Sequence, residues 1–194
     1  MARCRSAIAA LAVSALFLTP SAAHGHDGQV TAGTDLVASS MGSGMAWASY
    51  RGELTDLSLD TDDVFDGASA TAPMIGMEGS TFFRLGITGV DKSAAGNEYP
   101  AHLHQGPCEA GNGAAAGPHY NTNSIAGLPP VVSAETEVML DFEVDSVGNA
   151  RVTSNVPFVP LPDMRSIVIH GQLSAGVPRL ACLPLDIKSF PRTV

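Results

Sequence analysis

The chain has 194 residues and a formal net charge of −9, from 19 acidic and 10 basic side chains. That length suits one domain whose core can stand without metal or disulfide staples. The acidic balance argues against nucleic acid as a partner, because a phosphate backbone requires a basic field.

At the N-terminus, Arg3 and Arg5 form a basic opening, Ala7 to Leu18 is a short apolar run, and Ser21-Ala22-Ala23 supplies small residues for cleavage. Together they predict a secretory signal over residues 1–23, too short to span a bilayer, and no later segment predicts a membrane span. Cys4 lacks the Leu-Ala/Ser-Gly/Ala setting of a lipid-anchoring cysteine, so the expectation is a soluble protein exported to the periplasm, cell envelope or medium. Cleavage before His24 removes two basic residues and no acid, leaving 8 against 19 and a charge of −11. It also removes Cys4. Cys108 and Cys182 then remain as an even pair in an oxidising compartment, which reads first as one disulfide closing a long loop and second as two free thiols. Residues 24–34 predict a flexible mature N-terminus, and 35–194 a single domain.

Beyond this point two-residue alternation dominates and helical periodicity is nearly absent. Phe83, Leu85 and Ile87 share one face of "TFFRLGITGV", and Val138, Leu140, Phe142 and Val144 share one face of "EVMLDFEVD". Strands are expected at about 45–53, 80–89, 98–105, 136–145, 149–156, 165–171 and 179–186, with turn signals at Asp91 to Glu98, Gly127 to Pro130 and Asp145 to Ala150. Thirteen prolines and twenty glycines suit an antiparallel sandwich or barrel better than a helical bundle. The segment 61–78 shows no clear period and is read as an insertion, and 188–194 as a short tail.

The chemistry concentrates in "YPAHLHQGPCEAGNGAAAGPHYN", Tyr99 to Asn121. On a strand, residues two apart point the same way, so His102 and His104 present two imidazoles to one face while Ala101 and Leu103 point to the other. Fifteen residues on, His119 ends a span of small residues able to fold back against that strand and bring a third nitrogen. His170 closes the apolar run "RSIVIH" on the face of Val168, opposite Ile167 and Ile169, and is the fourth candidate. Imidazole-only ligation suits copper or zinc, and no H-E-x-x-H spacing points to a zinc hydrolase. A histidine satisfied by ordinary hydrogen bonds is the alternative for each of these taken alone.

The blocks "AHLHQGPC", "AGPHYN" and "RSIVIHG…GVPRLACLPL" resemble the copper-site blocks of the copper/zinc superoxide dismutase family, in particular its bacterial exported branch, over roughly residues 80 to 186. The resemblance implies a Greek-key β-barrel or sandwich of about eight antiparallel strands. It implies His102, His104, His119 and His170 as copper ligands, a Cys108–Cys182 disulfide, and Arg179 at the rim of the copper channel, with His119 and Arg179 serving superoxide turnover. Lys92, Arg151 and Arg165 are weaker auxiliaries for steering the anion.

Two departures from that family stand out. Its zinc site adds two histidines and an aspartate after the bridging histidine, but from Tyr120 to Ile169 this chain has no histidine. Its aspartate shortly after the last copper histidine is also missing, since "HGQLSAGVP" offers only Gln172 and Ser174. The chain therefore resembles copper-only members, and zinc is not expected. Without zinc the far nitrogen of His119 needs another acceptor, for which Glu109, Glu135, Glu137 and Asp163 are the candidates. The expected function is an exported copper-dependent superoxide dismutase; the alternatives are a non-catalytic copper-binding or copper-delivery protein on the same fold, and a purely structural exported module. If cleavage follows Ala23, the new terminus His24-Gly25-His26 offers an amine, two amides and a third-position imidazole, a second copper site able to receive the metal from a donor.

Overall fold

The computed structural model describes residues 37–41, 45–58, 63–172 and 177–187. The expected signal and cleavage point, His24, His26 and the expected 188–194 tail lie outside the described residues. The chain divides into two units, Met1–Val30 and Thr31–Val194, and every described residue belongs to the second.

Among the described residues eleven strands form in chain order: β1 (Val37–Met41), β2 (Met45–Glu53), β3 (Thr55–Asp56), β4 (Ser69–Met77), β5 (Ser80–Thr88), β6 (Glu98–Tyr99), β7 (Ala101–His104), β8 (Phe142–Glu143), β9 (Asn149–Val156), β10 (Asp163–His170) and β11 (Arg179–Ile187). They pair as a five-stranded sheet β1-β2-β4-β5-β9, a four-stranded sheet β3-β11-β10-β7 and a short β6-β8 ribbon. Every strand pairing is antiparallel. The fold is all-β as the sequence predicts, and among the described residues the pairing is that of a sandwich of open sheets.

Alternation explains which residues meet between the sheets. Tyr50, Met74, Phe83, Leu85 and Ile87 from the larger sheet join Ala101, Leu103, Ile167, Ile169, Leu183 and Leu185 from the smaller in one buried cluster. Burying an aliphatic or aromatic side chain of this size contributes roughly 1.5–3 kcal/mol, so this layer supplies most of what holds the two sheets together. A second, smaller cluster of Leu57, Ala116, Val168 and Cys182 lies apart from it, with Cys108 packed against it. It belongs to the other face of the four-stranded sheet, because Val168 and Cys182 alternate with Ile167, Ile169 and Leu183.

Two expectations need correction. The segment 61–78 is not an insertion: Ser69–Met77 is β4, placed between β2 and β5. Its inward residues are Ala70, Ala72, Met74 and Gly76. Small side chains carry a weak hydrophobic signal, which hid the alternation. The expected strand 136–145 is only Phe142–Glu143 as a ladder, although Val138, Leu140, Phe142 and Val144 are all buried as their alternation requires.

Candidate metal centre

The site lies on the outer face of the four-stranded sheet. In β7, Ala101 and Leu103 enter the core, which turns His102 and His104 to the opposite face. β10 pairs with β7 so that Ser166 faces His104 and Val168 faces His102. On its other side, in the pairing of β10 with β11, the register shifts between Ile169 and His170, which re-aims the last histidine of β10. The Gly/Ala-rich segment folds back along β7, with Gln105 N–H donating to the Pro118 carbonyl, Gly106 N–H to Ala116, and Tyr120 N–H to Leu103. This antiparallel return sets His119 opposite His104. Gly106 is required for it, since a Cβ there would stand 2.2 Å from the Ala115 carbonyl oxygen.

Four imidazoles converge as a result. Ring centroids are 4.3 Å apart for His102 and His119, 4.7 Å for His104 and His119, 5.3 Å for His104 and His170, and 5.5 Å for His102 and His170. His102, His119 and His170 each offer a nitrogen within 4.8 Å of the others, and His104 Nε2 lies 3.2 Å from His170 Nε2. This cluster could hold a metal ion.

The other ring nitrogens reveal how the imidazoles are oriented. His104 Nδ1 is 3.0 Å from the Gly117 carbonyl, which can only accept, so its proton sits on Nδ1 and the Nε2 lone pair faces His170. His119 Nδ1 donates to Glu137 Oε2 at 2.9 Å, leaving its Nε2 lone pair free. His102 Nε2 faces Asp141 Oδ1 at 3.6 Å, while His102 Nδ1 is buried without a hydrogen-bond partner. A buried lone pair with no donor is costly, and a metal cation removes that cost.

Burial keeps His102, His104 and His170 neutral, the state in which imidazole ligates metal. Desolvation is the largest cause at each of three positions, lowering His104 to about 3, His170 to about 4, and His102 below its usual range. Neighbouring imidazoles and Arg179 add to the shift at His104 and His170, while backbone carbonyl contacts oppose it. Asp141 and Glu137 oppose it at His102.

Glu137 is the acceptor that His119 needs. It is 2% exposed, and its second oxygen accepts from Asn121 Nδ2 at 2.8 Å. Asn121 in turn uses its side-chain carbonyl to cap the helical turn α1 (Thr122–Ile125), receiving Asn123 and Ser124 N–H. The carboxylate is thus held by the loop that Asn121 opens. Glu109, Glu135 and Asp163 do not take this role: Glu109 is exposed beside Asn112, Glu135 lies on the surface beside Ser133, and Asp163 is exposed at the start of β10.

Arg179 sits across from His170 in the β10–β11 ladder. Its guanidinium donates to the Gly113 carbonyl at 2.5 Å and to the Gly117 carbonyl at 2.7 Å. The Gly117 oxygen therefore serves both Arg179 and His104, joining the cation to the cluster through one backbone atom. The disulfide Cys108–Cys182, with Cα atoms 6.0 Å apart, ties the same loop to β11.

Of the cations weighed as auxiliaries, Arg165 is buried, donates to the Gln105 carbonyl at 2.7 Å and stacks over Tyr120, so it braces the loop and cannot steer a solute. Arg151 projects from the outer face of the other sheet, across the core from the histidines. Lys92 lies in a 3-10 turn, Lys92–Ala94, without contact to the cluster. Asp141 was not among the sequence candidates, yet it shares with Glu137 the face opposite Val138 and Leu140, a signal present in the alternation itself. The chain matches no family model and no curated protein.

Proposed function

We propose that the protein is an exported copper-dependent superoxide dismutase without a zinc site. The observation that carries this reading is the fixing of His119 by Glu137: the ring nitrogen pointing away from the cluster is held by a buried carboxylate of the chain itself. An all-imidazole donor set with a softer, redox-active preference favours copper over the oxygen-seeking cations. Copper bound there would supply the one-electron chemistry, by which one superoxide is oxidised to oxygen and a second, with two protons, is reduced to hydrogen peroxide.

The residues of the chain do the rest. His102 Nδ1 and the Nε2 atoms of His104, His119 and His170 are the donors. Glu137 keeps a proton on His119 Nδ1 and fixes the ring plane, and Gly117 does the same for His104. Arg179 supplies a local cation beside the cluster, which matters because the chain as a whole repels an anion. Charge is screened beyond about 8 Å at physiological salt, so a nearby arginine outweighs a distant acidic surface. The Cys108–Cys182 bridge supports export, since such bonds persist in oxidising compartments. Among the described residues no helix is long and apolar enough to cross a membrane.

Reconstitution with copper and zinc together, followed by elemental analysis and a superoxide-consumption assay, tests the proposal. One copper per chain, no stoichiometric zinc and rapid consumption are expected. Arg179→Ala should then lower turnover and flatten its dependence on ionic strength at unchanged copper content, with Arg179→Lys restoring part of both. A tightly held zinc beside copper would end the copper-only reading. Full copper loading with no turnover would leave the copper-binding or copper-delivery alternative.

A further inference from the structure

The outer face of the five-stranded sheet changes character along the strands in a way the core does not require. Its rows can be read across the ladder. Trp47, Ile75, Phe82 and Asn155 are neighbours in one row. Met45 and Met77, 41% and 40% exposed, flank that row at the end of the sheet where β4 turns into β5. Two residues further along β5 stands Arg84, and the next row is Arg51, Thr71, Gly86 and Arg151. Glu53, Ser69, Thr88 and Asn149 form the last row.

At about 3.4 Å per residue, Arg84 lies about 7 Å from the apolar row, Arg51 and Arg151 about 14 Å, and Glu53 about 20 Å. An apolar tip, then a belt of three arginines, then carboxylates is the order met on crossing from the acyl boundary of a bilayer through its phosphates to water. Peripheral segments bury an apolar face about 5–10 Å into that boundary, and tryptophan is enriched there. The acidic row begins about 7 Å beyond Arg51 and Arg151, on the water side of the arginines.

We propose that this end of the sheet docks on an anionic phospholipid surface, with Met45, Trp47, Ile75 and Met77 at the acyl boundary and the arginines on lipid phosphates. Charge complementarity commits the face to that occupant. Three arginines cluster here on a chain whose net charge is −9, and neither Arg84 nor Arg151 has an ion-pair partner among the described residues. Between Arg51 and Arg151 runs a trough of about 790 Å³, floored by Gly86 and Thr71 and bounded at its far end by Glu53, Glu143 and Asp145. Gly86 deepens it, because a Cβ there would press to 3.1 Å from Thr71 Oγ1. Glu78, exposed in the β4–β5 turn, is the carboxylate this end carries against the trend.

Trp47 is the only tryptophan of the chain and therefore reports on its own row. The full-length secreted protein is mixed with vesicles of phosphatidylglycerol and phosphatidylcholine, or of phosphatidylcholine alone, and followed by co-sedimentation and tryptophan emission. Binding to the anionic vesicles only, with a blue shift and with loss at high salt, is expected. Arg84→Gln and Arg151→Gln should each weaken partition about fivefold, Glu78→Lys should tighten it by a similar factor, and Met77→Asp should abolish it. These side chains are surface groups, so circular dichroism and copper content should not change. The exposed loop carrying Leu128 and Val132 is the internal control. No binding, equal binding to neutral vesicles, loss through Val132→Asp in place of Met77→Asp, or a concentration-dependent dimer that buries Trp47 without lipid would each overturn the proposal.

Discussion

The two outer faces of this sandwich start from the same alternation and end as different surfaces. On the four-stranded sheet, the outward residues His102, His104, Val168, His170 and Cys182 are covered by a loop that returns along β7 and is bonded there by its backbone, by Arg179 and by a disulfide. On the five-stranded sheet, the outward residues of β2, β4, β5 and β9 alternate with the buried ones and stay partly or fully exposed. Coverage is what makes the difference. It withdraws His102, His104 and His170 from water and holds them neutral, whereas Arg151 on the open face stays exposed.

The largest break in that contrast is removal of the cover. Replacing Cys108 and Cys182 by alanine should cost about 4 kcal/mol in chemical denaturation, the chain-entropy value for a closed loop of this size. It should also lower copper occupancy by freeing the Gly117 segment. Counting thiols in denaturant without reductant should find none in the secreted wild-type chain.

Next in size, Glu137→Ala leaves His119 Nδ1 and Asn121 Nδ2 without their buried acceptor, and about 3 kcal/mol of stability should be lost in a urea titration. Metal affinity should fall about 10- to 100-fold in a competition assay with a chelator. Asp141→Ala should give a smaller loss of affinity, near the low end of that range, because its contact with His102 is longer and more exposed.

The metal-free protein offers a sharper comparison through pH. His104 and His170 titrate at about 3 and about 4 in the folded chain against 6.5 unfolded, so the unfolded state binds more protons between those values. Stability is therefore full above about pH 6.5 and falls as pH drops through that window. The urea midpoint of metal-free protein should be lower at pH 5 than at pH 7.5, and His104→Gln should flatten the difference. At the smallest end, Arg151→Gln on the bare face should shift the midpoint by no more than about 0.5 kcal/mol at either pH.

Much of this was legible in the chain. The alternation of Phe83, Leu85 and Ile87, and of Val138, Leu140 and Phe142, carried the all-β class, because burying one face of a strand demands apolar residues at every second position. The same period put His102 and His104 on one side and His170 on the face of Val168, so three of the four imidazoles could be oriented without coordinates. Strand β4 escaped because its inward alanines barely differ in hydropathy from a polar loop. Asp141 escaped although its period matched that of Glu137, because a carboxylate opposite a buried residue is usually a solvated one.

What sequence alone determined is therefore the set of side chains on each face, a local property of a two-residue repeat. Which face is covered, and which of four acidic candidates meets His119, were decided by tertiary structure. Glu137 is chosen because the 121–136 loop folds back and Asn121 holds the carboxylate in place, an arrangement between residues sixteen positions apart that no local pattern encodes. The unpartnered nitrogen of His102 is likewise invisible in sequence, since satisfaction of a polar atom depends on what stands beside it in space.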